Sequence, residues 1–346
     1  MKTGKFAALA LAAATLFGAG AALAQDKPIH LRISHWVPPT HPLQPALEEW
    51  AARVKKESNG TITSTIYPSQ QLGKAFDHYD MARDGVADMT YVSPGYQPGR
   101  FPIIAGAALP FLFSNASGGT AALDEWYRKY AAKEMSDVHF CLAFVHDPGA
   151  LFTRDKKVLL PSDMKGMKIR PATGTIAALV TNLGGTNVQA SAPEAREVLA
   201  RGVADGITFP WGSIVLFGID KVVKYAMELP LYTTPFVMVM HKQTYDAMSP
   251  TQKKAIDDNC NTEAAVRLAA PWGKFEHDGI AKISAEPNHV VYKLNAEQTA
   301  AWVKAAEPLT ARWEAEAKKA GLADPAAALN DLKADLKKND ALLKVE

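Results

Sequence analysis

The sequence predicts an α/β protein folded as two lobes, each a sheet flanked by helices. Three observations carry that expectation. Strand-like and helix-like hydrophobic periods alternate along the chain. The alternation stops at the turn-rich run Ser93 to Pro102 and then starts again. Of the 346 residues, the 322 that follow a 24-residue leader exceed the ~250 to 300 at which a single core stops growing.

The leader comes first. Lys2 and Lys5 precede the apolar stretch Phe6 to Phe17, and Ala22-Leu23-Ala24 stands just before Gln25. A charged start, a short apolar core and an Ala-x-Ala ending read as a secretory signal peptide over residues 1–24, cleaved after Ala24. The apolar core is shorter than the ~20 residues that span a bilayer. The expectation is a mature chain outside the cytoplasmic membrane, in the periplasm.

Leu31 to Trp36 reads as a strand, and Leu43, Leu47, Trp50 and Val54 then recur at helical spacing until Asn59-Gly60. Ile62, Ser64 and Ile66 alternate as a half-buried strand ending at Tyr67-Pro68. Phe76, Tyr79, Met81 and Val86 continue as a helix, and Asp88 to Val92 forms a further strand. Strand, helix, strand, helix implies a largely parallel sheet. After the turn-rich run, Phe140 to His146 and Lys168 to Arg170 are strands, Thr175 to Leu183 a helix and Asn187 to Ala190 a strand. Pro193 to Arg201 is then a helix and Ala204 to Phe209 a strand. Pro235 to Met240 is apolar enough to return to the first sheet. Ser249 and Gln252 form a capping box that predicts a long helix kinked at Pro271. Helical stretches over about 295–320 and 324–343 close the chain. The expected division is 25–148 with about 234–270 in lobe 1, and 149–233 with about 271–346 in lobe 2.

Charge and composition remove several function classes. The formal net charge is +2, from 38 basic and 36 acidic residues, and loss of Lys2 and Lys5 leaves the mature chain neutral. Neutrality argues against nucleic acid or an anionic membrane as the main partner. No Gly-x-Ser-x-Gly, His-Glu-x-x-His or Gly-Lys-Ser/Thr phosphate loop occurs. His35, His41, His78 and His146 lack metal-ligand spacing and read as hydrogen-bonded loop or strand-end residues, so no metal and no cofactor is expected. Cys141 and Cys260 fit neither a redox motif nor a zinc site; each lies in an apolar pattern, so two buried thiols are the first expectation, with a structural disulfide, which an oxidising compartment allows, the second.

Arg170 closes the run Asp163 to Pro171. A guanidinium is a rigid fork of donors that matches a carboxylate two bonds at a time. On a short apolar strand just before a proline it is either a carboxylate clamp or a solvated strand-end charge. Tyr91 and Ser93 end a strand where hydroxyls can orient a polar ligand. Lys74, beside Gln71-Leu72-Gly73, is either a second cation for the site or a solvated helix-start lysine, and Tyr67 flanks the same turn. Phe209 and Trp211 form either an apolar ligand wall or interlobe core.

Four ordered motifs carry a resemblance over nearly the whole mature chain. Ile66-Tyr67-Pro68 with Gln71-Leu72-Gly73, then Asp84 to Asp88, then Met164 to Arg170, and finally Val203 to Gly206 resemble the extracytoplasmic solute receptors of tripartite ATP-independent periplasmic (TRAP) transporters. The resemblance implies a two-lobed periplasmic-binding-protein-like fold with the ligand in the interlobe cleft. It implies a binding protein rather than an enzyme, one that delivers a small organic acid to a permease of two unlike membrane components driven by an ion gradient. It also implies that Arg170 pairs with the ligand carboxylate and that His35 and Trp36 help line the pocket. The sialic-acid branch has a further arginine where this chain has Ala150. An apolar or aromatic monocarboxylate is therefore expected first and a short dicarboxylate second. A periplasmic enzyme acting on an organic acid, or a two-lobed receptor for an ATP-driven importer or a sensor, are the alternatives.

Overall fold

The computed structural model describes residues 26–345, so the expected signal peptide and its cleavage site lie outside the described residues. Strand β1 (Ile29–Ser34) leads to helix α1 (Leu43–Glu57), which buries Leu43, Leu47, Trp50 and Val54 and ends at Asn59 and Gly60, both at positive φ. Strand β2 (Ile62–Tyr67), helix α2 (His78–Arg83) and strand β3 (Met89–Val92) follow, and β2 and β3 flank β1 in parallel. Helix α3 (Ala116–Glu134), unmarked by any sequence motif above, is opened by the Asn115 side chain, which accepts from the Gly118 N–H. It covers the sheet beside strand β4 (Val138–Val145).

The second set comprises β5 (Gly149–Thr153), β6 (Lys168–Arg170), α4 (Gly174–Asn182), β7 (Thr186–Asn187), α5 (Ala195–Ala200), β8 (Gly206–Phe209), α6 (Trp211–Leu216) and β9 (Tyr225–Tyr232). It keeps the predicted order from β6 to β8, but the strand expected to open it, Phe140 to His146, is β4 of the first sheet, and β5, α6 and β9 have no predicted counterpart. Strand β10 (Pro235–His241) then returns to the first sheet, as its apolar run predicts, and sits between β3 and β4. Helices α7 (Lys242–Asp246) and α8 (Pro250–Asp257) come next. The Ser249–Gln252 capping box is present, but it opens only α8; the long helix is α9 (Thr262–Ala285), restarted by the Asn261 side chain. Strand β11 (Val290–Tyr292) joins the second sheet. The expected 295–320 helix is two, α10 (Ala296–Ala306) and α11 (Pro308–Lys319), because Pro308 starts a new one; α12 (Pro325–Lys338) ends the fold.

The sheets are β2-β1-β3-β10-β4 and β11-β9-β5-β8-β6-β7. Both are mixed, with two of four pairings parallel in the first and three of five in the second. β10 runs antiparallel to both β3 and β4, and β5 runs antiparallel to both β8 and β9. The reason is connectivity: β4 passes almost directly into β5, and β9 into β10, so each lobe receives strands that arrive from the other.

A third link is α9, about 36 Å long at 1.5 Å per residue over 24 residues. It packs on α1, α3 and β4 of the first lobe and on α6 of the second, so the boundary expected near 270 falls inside one continuous helix. Close approach to α6 requires glycine, since a Cβ on Gly279 would stand 2.2 Å from the Gly212 nitrogen. Helix α12 packs on α3, and α11 touches α4. None of the described helices is long and apolar enough to cross a membrane.

The cysteines correct a sequence expectation. Cys141 on β4 and Cys260 before α9 form a disulfide with Cα atoms 4.6 Å apart. Burial was read correctly, since they are 0% and 7% exposed. Pairing was not: a separation of 119 residues says nothing of the packing that lays the α8–α9 connection against β4.

Candidate functional site

Strand β6 ends at Arg170, where Pro171 can donate no further ladder bond. The side chain is 2% exposed. Its Nε–H donates to the Ala190 carbonyl at 2.9 Å, and an Nη2–H donates to the Tyr96 hydroxyl at 3.2 Å. These bonds fix the fork and leave the Nη1 pair for another acceptor. The guanidinium carbon lies 5.9 Å from the Tyr96 ring centre and 5.6 Å from that of Phe209, within cation–π reach. Among the described residues no carboxylate stands within 4.0 Å of it. Glu194 feels the Arg170 charge at longer range and is held below the usual carboxylate range chiefly by its Ser191 bonds, so no carboxylate pairs with the guanidinium directly and an incoming anion would stabilise this site.

The facing wall belongs to the first lobe. Gly95 abuts Thr173 so closely that a Cβ there would lie 3.2 Å from the Thr173 Cα. Tyr96 then reaches across the cleft, accepting from the Ala192 N–H at 2.8 Å as well as from Arg170. With both lone pairs engaged, the phenol still holds its own proton to donate. Burial raises the Tyr96 pKa and the Arg170 charge draws it back, so the phenol stays protonated at neutral pH.

Aromatic rings make the rest of the wall. Trp36 stacks on Tyr91 at 4.8 Å, and Phe236 and Trp272 follow with centroids 5.1 Å apart. His41 stands edge-on to Trp272 at 4.6 Å. Its Nδ1 accepts from the Leu43 N–H at 3.1 Å, which assigns the proton to Nε2. His146 Nε2 accepts from the Thr234 N–H at 3.2 Å, tying the β4–β5 crossover to the β9–β10 crossover. Burial holds His41 at about 3 and His146 at about 4, so both rings are neutral near pH 7.

These groups enclose a cavity of about 30 Å³ between the lobes, and among the described residues Arg170 is the one charged residue lining it. That volume is far below the ~150 Å³ in which an apolar cavity holds benzene. A ring-sized guest therefore requires the walls to separate, and the two strand crossovers with α9 are the links about which they can do so.

The description "Bacterial extracellular solute-binding protein, family 7" matches this chain over residues 33–316. The chain belongs to that family. Solved relatives agree with the fold and extend the comparison. A TRAP solute-binding protein from Rhodoferax ferrireducens T118, in complex with copurified benzoate, is 28% identical with a TM-score of 0.84, covering 90% of this chain and 98% of that one. A marine metagenome TRAP solute-binding protein specific for aromatic acid ligands, with 3-hydroxybenzoate, is 31% identical with a TM-score of 0.84, covering 91% and 99%. One from Bordetella bronchiseptica with bound (R)- and (S)-mandelate is 29% identical, also with a TM-score of 0.84, covering 90% and 99%.

Within this family 7 fold the sequence-predicted residues separate into groups. Arg170, Phe209, Trp36 and Ser93 all line the cavity. Tyr91 lies one layer behind, under Trp36. His35 is fully buried and turns its Nε2 to Gln44 Oε1 at 2.7 Å, away from the cavity lining. Trp211 heads α6 and packs edge-on to Phe152 at 4.9 Å, inside the second lobe. Lys74 is exposed and Tyr67 half-buried, and neither lines the cavity. Ala150 is buried on β5 opposite Phe209. Sequence reasoning passed over Tyr96, His41 and Trp272 as residues lining the cavity. The turn-rich run that carries Tyr96 was the available signal; nothing local marks Trp272, which α9 brings in from 102 positions beyond Arg170.

Proposed function

We propose that this chain is a periplasmic receptor that captures a small carboxylate with an aromatic body and delivers it to the two membrane components of a TRAP transporter for ion-gradient-driven uptake. One observation carries the reading: a buried guanidinium, fixed by Ala190 and Tyr96 and lacking a direct carboxylate partner, faces an aromatic-lined cavity between the two lobes. A carboxylate entering there exchanges water for the Nη1 pair and the Tyr96 hydroxyl, and its ring stacks among Trp36, Phe209 and Phe236. Export by cleavage after Ala24 delivers the protein to the compartment where such a receptor works. The relatives at 28 to 31% identity with benzoate, 3-hydroxybenzoate and mandelate support an aromatic acid over a short dicarboxylate. So does a lining with a single cation. A receptor returns its ligand unchanged, whereas an enzyme would not.

Titration calorimetry with benzoate, mandelate and succinate tests this. Wild type should bind an aromatic acid, and mass spectrometry should recover it unaltered. Truncating one member of a buried charge pair costs about 2 to 5 kcal/mol, so Arg170→Ala should lose one to three decades of affinity at ~1.4 kcal/mol per decade. Equal affinity in the variant, or no carboxylate ligand for wild type, would overturn the proposal.

A further inference from the structure

The cavity has a polar end that a simple carboxylate on Arg170 does not use. His41 is 1% exposed and its Nε2 has no hydrogen-bond partner among the described residues; the same holds for Trp36 Nε1 and Ser93 Oγ, 4% and 2% exposed by residue. All three side chains line the cavity that Arg170 lines. Buried donors left without acceptors are uncommon in folded proteins, so a cluster of them facing a cavity marks a place shaped for an acceptor.

The tautomer makes His41 specific. With Nδ1 occupied by the Leu43 N–H, Nε2 carries the hydrogen and can only donate. Its ring neighbours are Trp272 and Phe275, whereas the Arg170 guanidinium is flanked by Tyr96 and Phe209. From Tyr96 the rings run through Trp36 and Phe236 to Trp272 at centroid spacings of 5.8, 6.4 and 5.1 Å, with Arg170 bonded to the first ring and His41 against the last. The guanidinium and the imidazole thus serve different parts of the guest. Apart from Arg170, no cation among the described residues lines the cavity, so with one carboxylate on Arg170 a second would be buried against neutral donors only.

We infer that His41 Nε2–H reads a second, uncharged oxygen on the ligand, so that the preferred substrates are aromatic acids bearing a hydroxyl away from the carboxylate. This rests on the carboxylate role of Arg170 proposed above. Trp36 Nε1 and Ser93 Oγ, which line the same cavity without partners among the described residues, supply a further donor and the acceptor for the hydroxyl's own proton.

The test titrates benzoate, 3-hydroxybenzoate, 4-hydroxybenzoate and terephthalate into wild type and His41→Phe. One neutral hydrogen bond discriminates by about fivefold to tenfold, so wild type should prefer a hydroxybenzoate to benzoate by that factor and bind terephthalate no better than benzoate. In His41→Phe the ratio of hydroxybenzoate to benzoate affinity should fall to about one, whatever the change in benzoate affinity itself. Should that variant not fold, the imidazole ¹⁵N spectrum of wild type decides, because the His41 Nε2–H should shift with hydroxybenzoate and not with benzoate. Benzoate binding with no hydroxyl preference, a preference that survives in His41→Phe, or an unmoved Nε2–H overturns this inference alone. Failure of all four acids to bind wild type overturns the carboxylate reading as well.

Discussion

Glu276 offers a test of how α9 holds the second lobe. Its carboxylate is 1% exposed and accepts from the Gly212 N–H at 2.6 Å, the Ser213 N–H at 2.9 Å, the Trp272 indole N–H at 2.6 Å and the Ser213 hydroxyl. Gly212 and Ser213 are in the first turn of α6, whose N–H groups have no partner within the helix, so a side chain of α9 satisfies them. Burial pushes the carboxyl from 4.5 up to about 7 against the pull of these donors. A raised acid binds its proton more tightly folded than unfolded. Its contribution is therefore fully present below about pH 4.5 and declines as pH rises to about 7. At 1.36 kcal/mol per unit, the interval corresponds to about 3 kcal/mol. For ~320 residues at ~2.1 cal/mol/K each, the unfolding entropy is roughly 0.7 kcal/mol/K, so the loss amounts to about 5 °C in Tm. Glu276→Gln removes the titration, so calorimetric scans from pH 4.5 to 8 should show the stability gap between wild type and variant shifting toward the variant by that amount. Parallel profiles, with a constant gap across the window, would refute the argument. The consequence reaches the ligand, because Ser213 and the neighbouring Phe209 and Pro210 line the cavity.

Two further outcomes are expected. Replacing Cys141 and Cys260 together by alanine opens a loop of 119 residues; chain entropy assigns such a crosslink up to about 5 kcal/mol, or roughly 7 °C for a chain this long. Thermal unfolding should show that drop, and added reductant should lower wild type toward the variant while leaving the variant unmoved. Tyr96→Phe keeps the ring but deprives the Ala192 N–H and one Arg170 N–H of their shared acceptor across the cleft. Calorimetry should register about a tenfold weaker affinity for an aromatic acid, at 1 to 3 kcal/mol for a stranded donor, and small-angle scattering of the unliganded variant should show a larger radius.

The strands and helices were legible where one period decides burial. Leu43, Leu47, Trp50 and Val54 announce α1 because all four face the same sheet, and Pro235 to Met240 announces β10 because both of its faces are covered. Arg170 was legible for a different reason: an arginine inside an apolar strand, at its end and before a proline, conflicts with ordinary burial. The helix α3 was not legible, since Gly118 and Gly119 sit in its first turns, where close packing on Asn339 and Phe113 rather than propensity decides the conformation. Lys74 shows the opposite error. Proximity to a motif in sequence suggested a second cation, but the loop that carries it turns the side chain to solvent.

What sequence periodicity could not reach are the pairs that join one lobe to the other. Tyr96 meets Arg170 and Ala192 across 74 and 96 positions, and Glu276 meets Gly212 across 64. A hydrophobic period reports which face of an element is buried, not which element buries it. These cross-lobe bonds are nevertheless where ligand and closure become one energetic problem. Arg170 shares its fork between the Tyr96 latch and the free Nη1 pair, so a carboxylate that neutralises it also strengthens the case for keeping Tyr96 in place. Without an anion, closing the lobes buries an unpaired charge; with one, closing buries an ion pair. The closed state should therefore be favoured by one carboxylate on the ligand, and an uncharged amide analogue of the same acid should occupy the cleft weakly and leave the lobes more open.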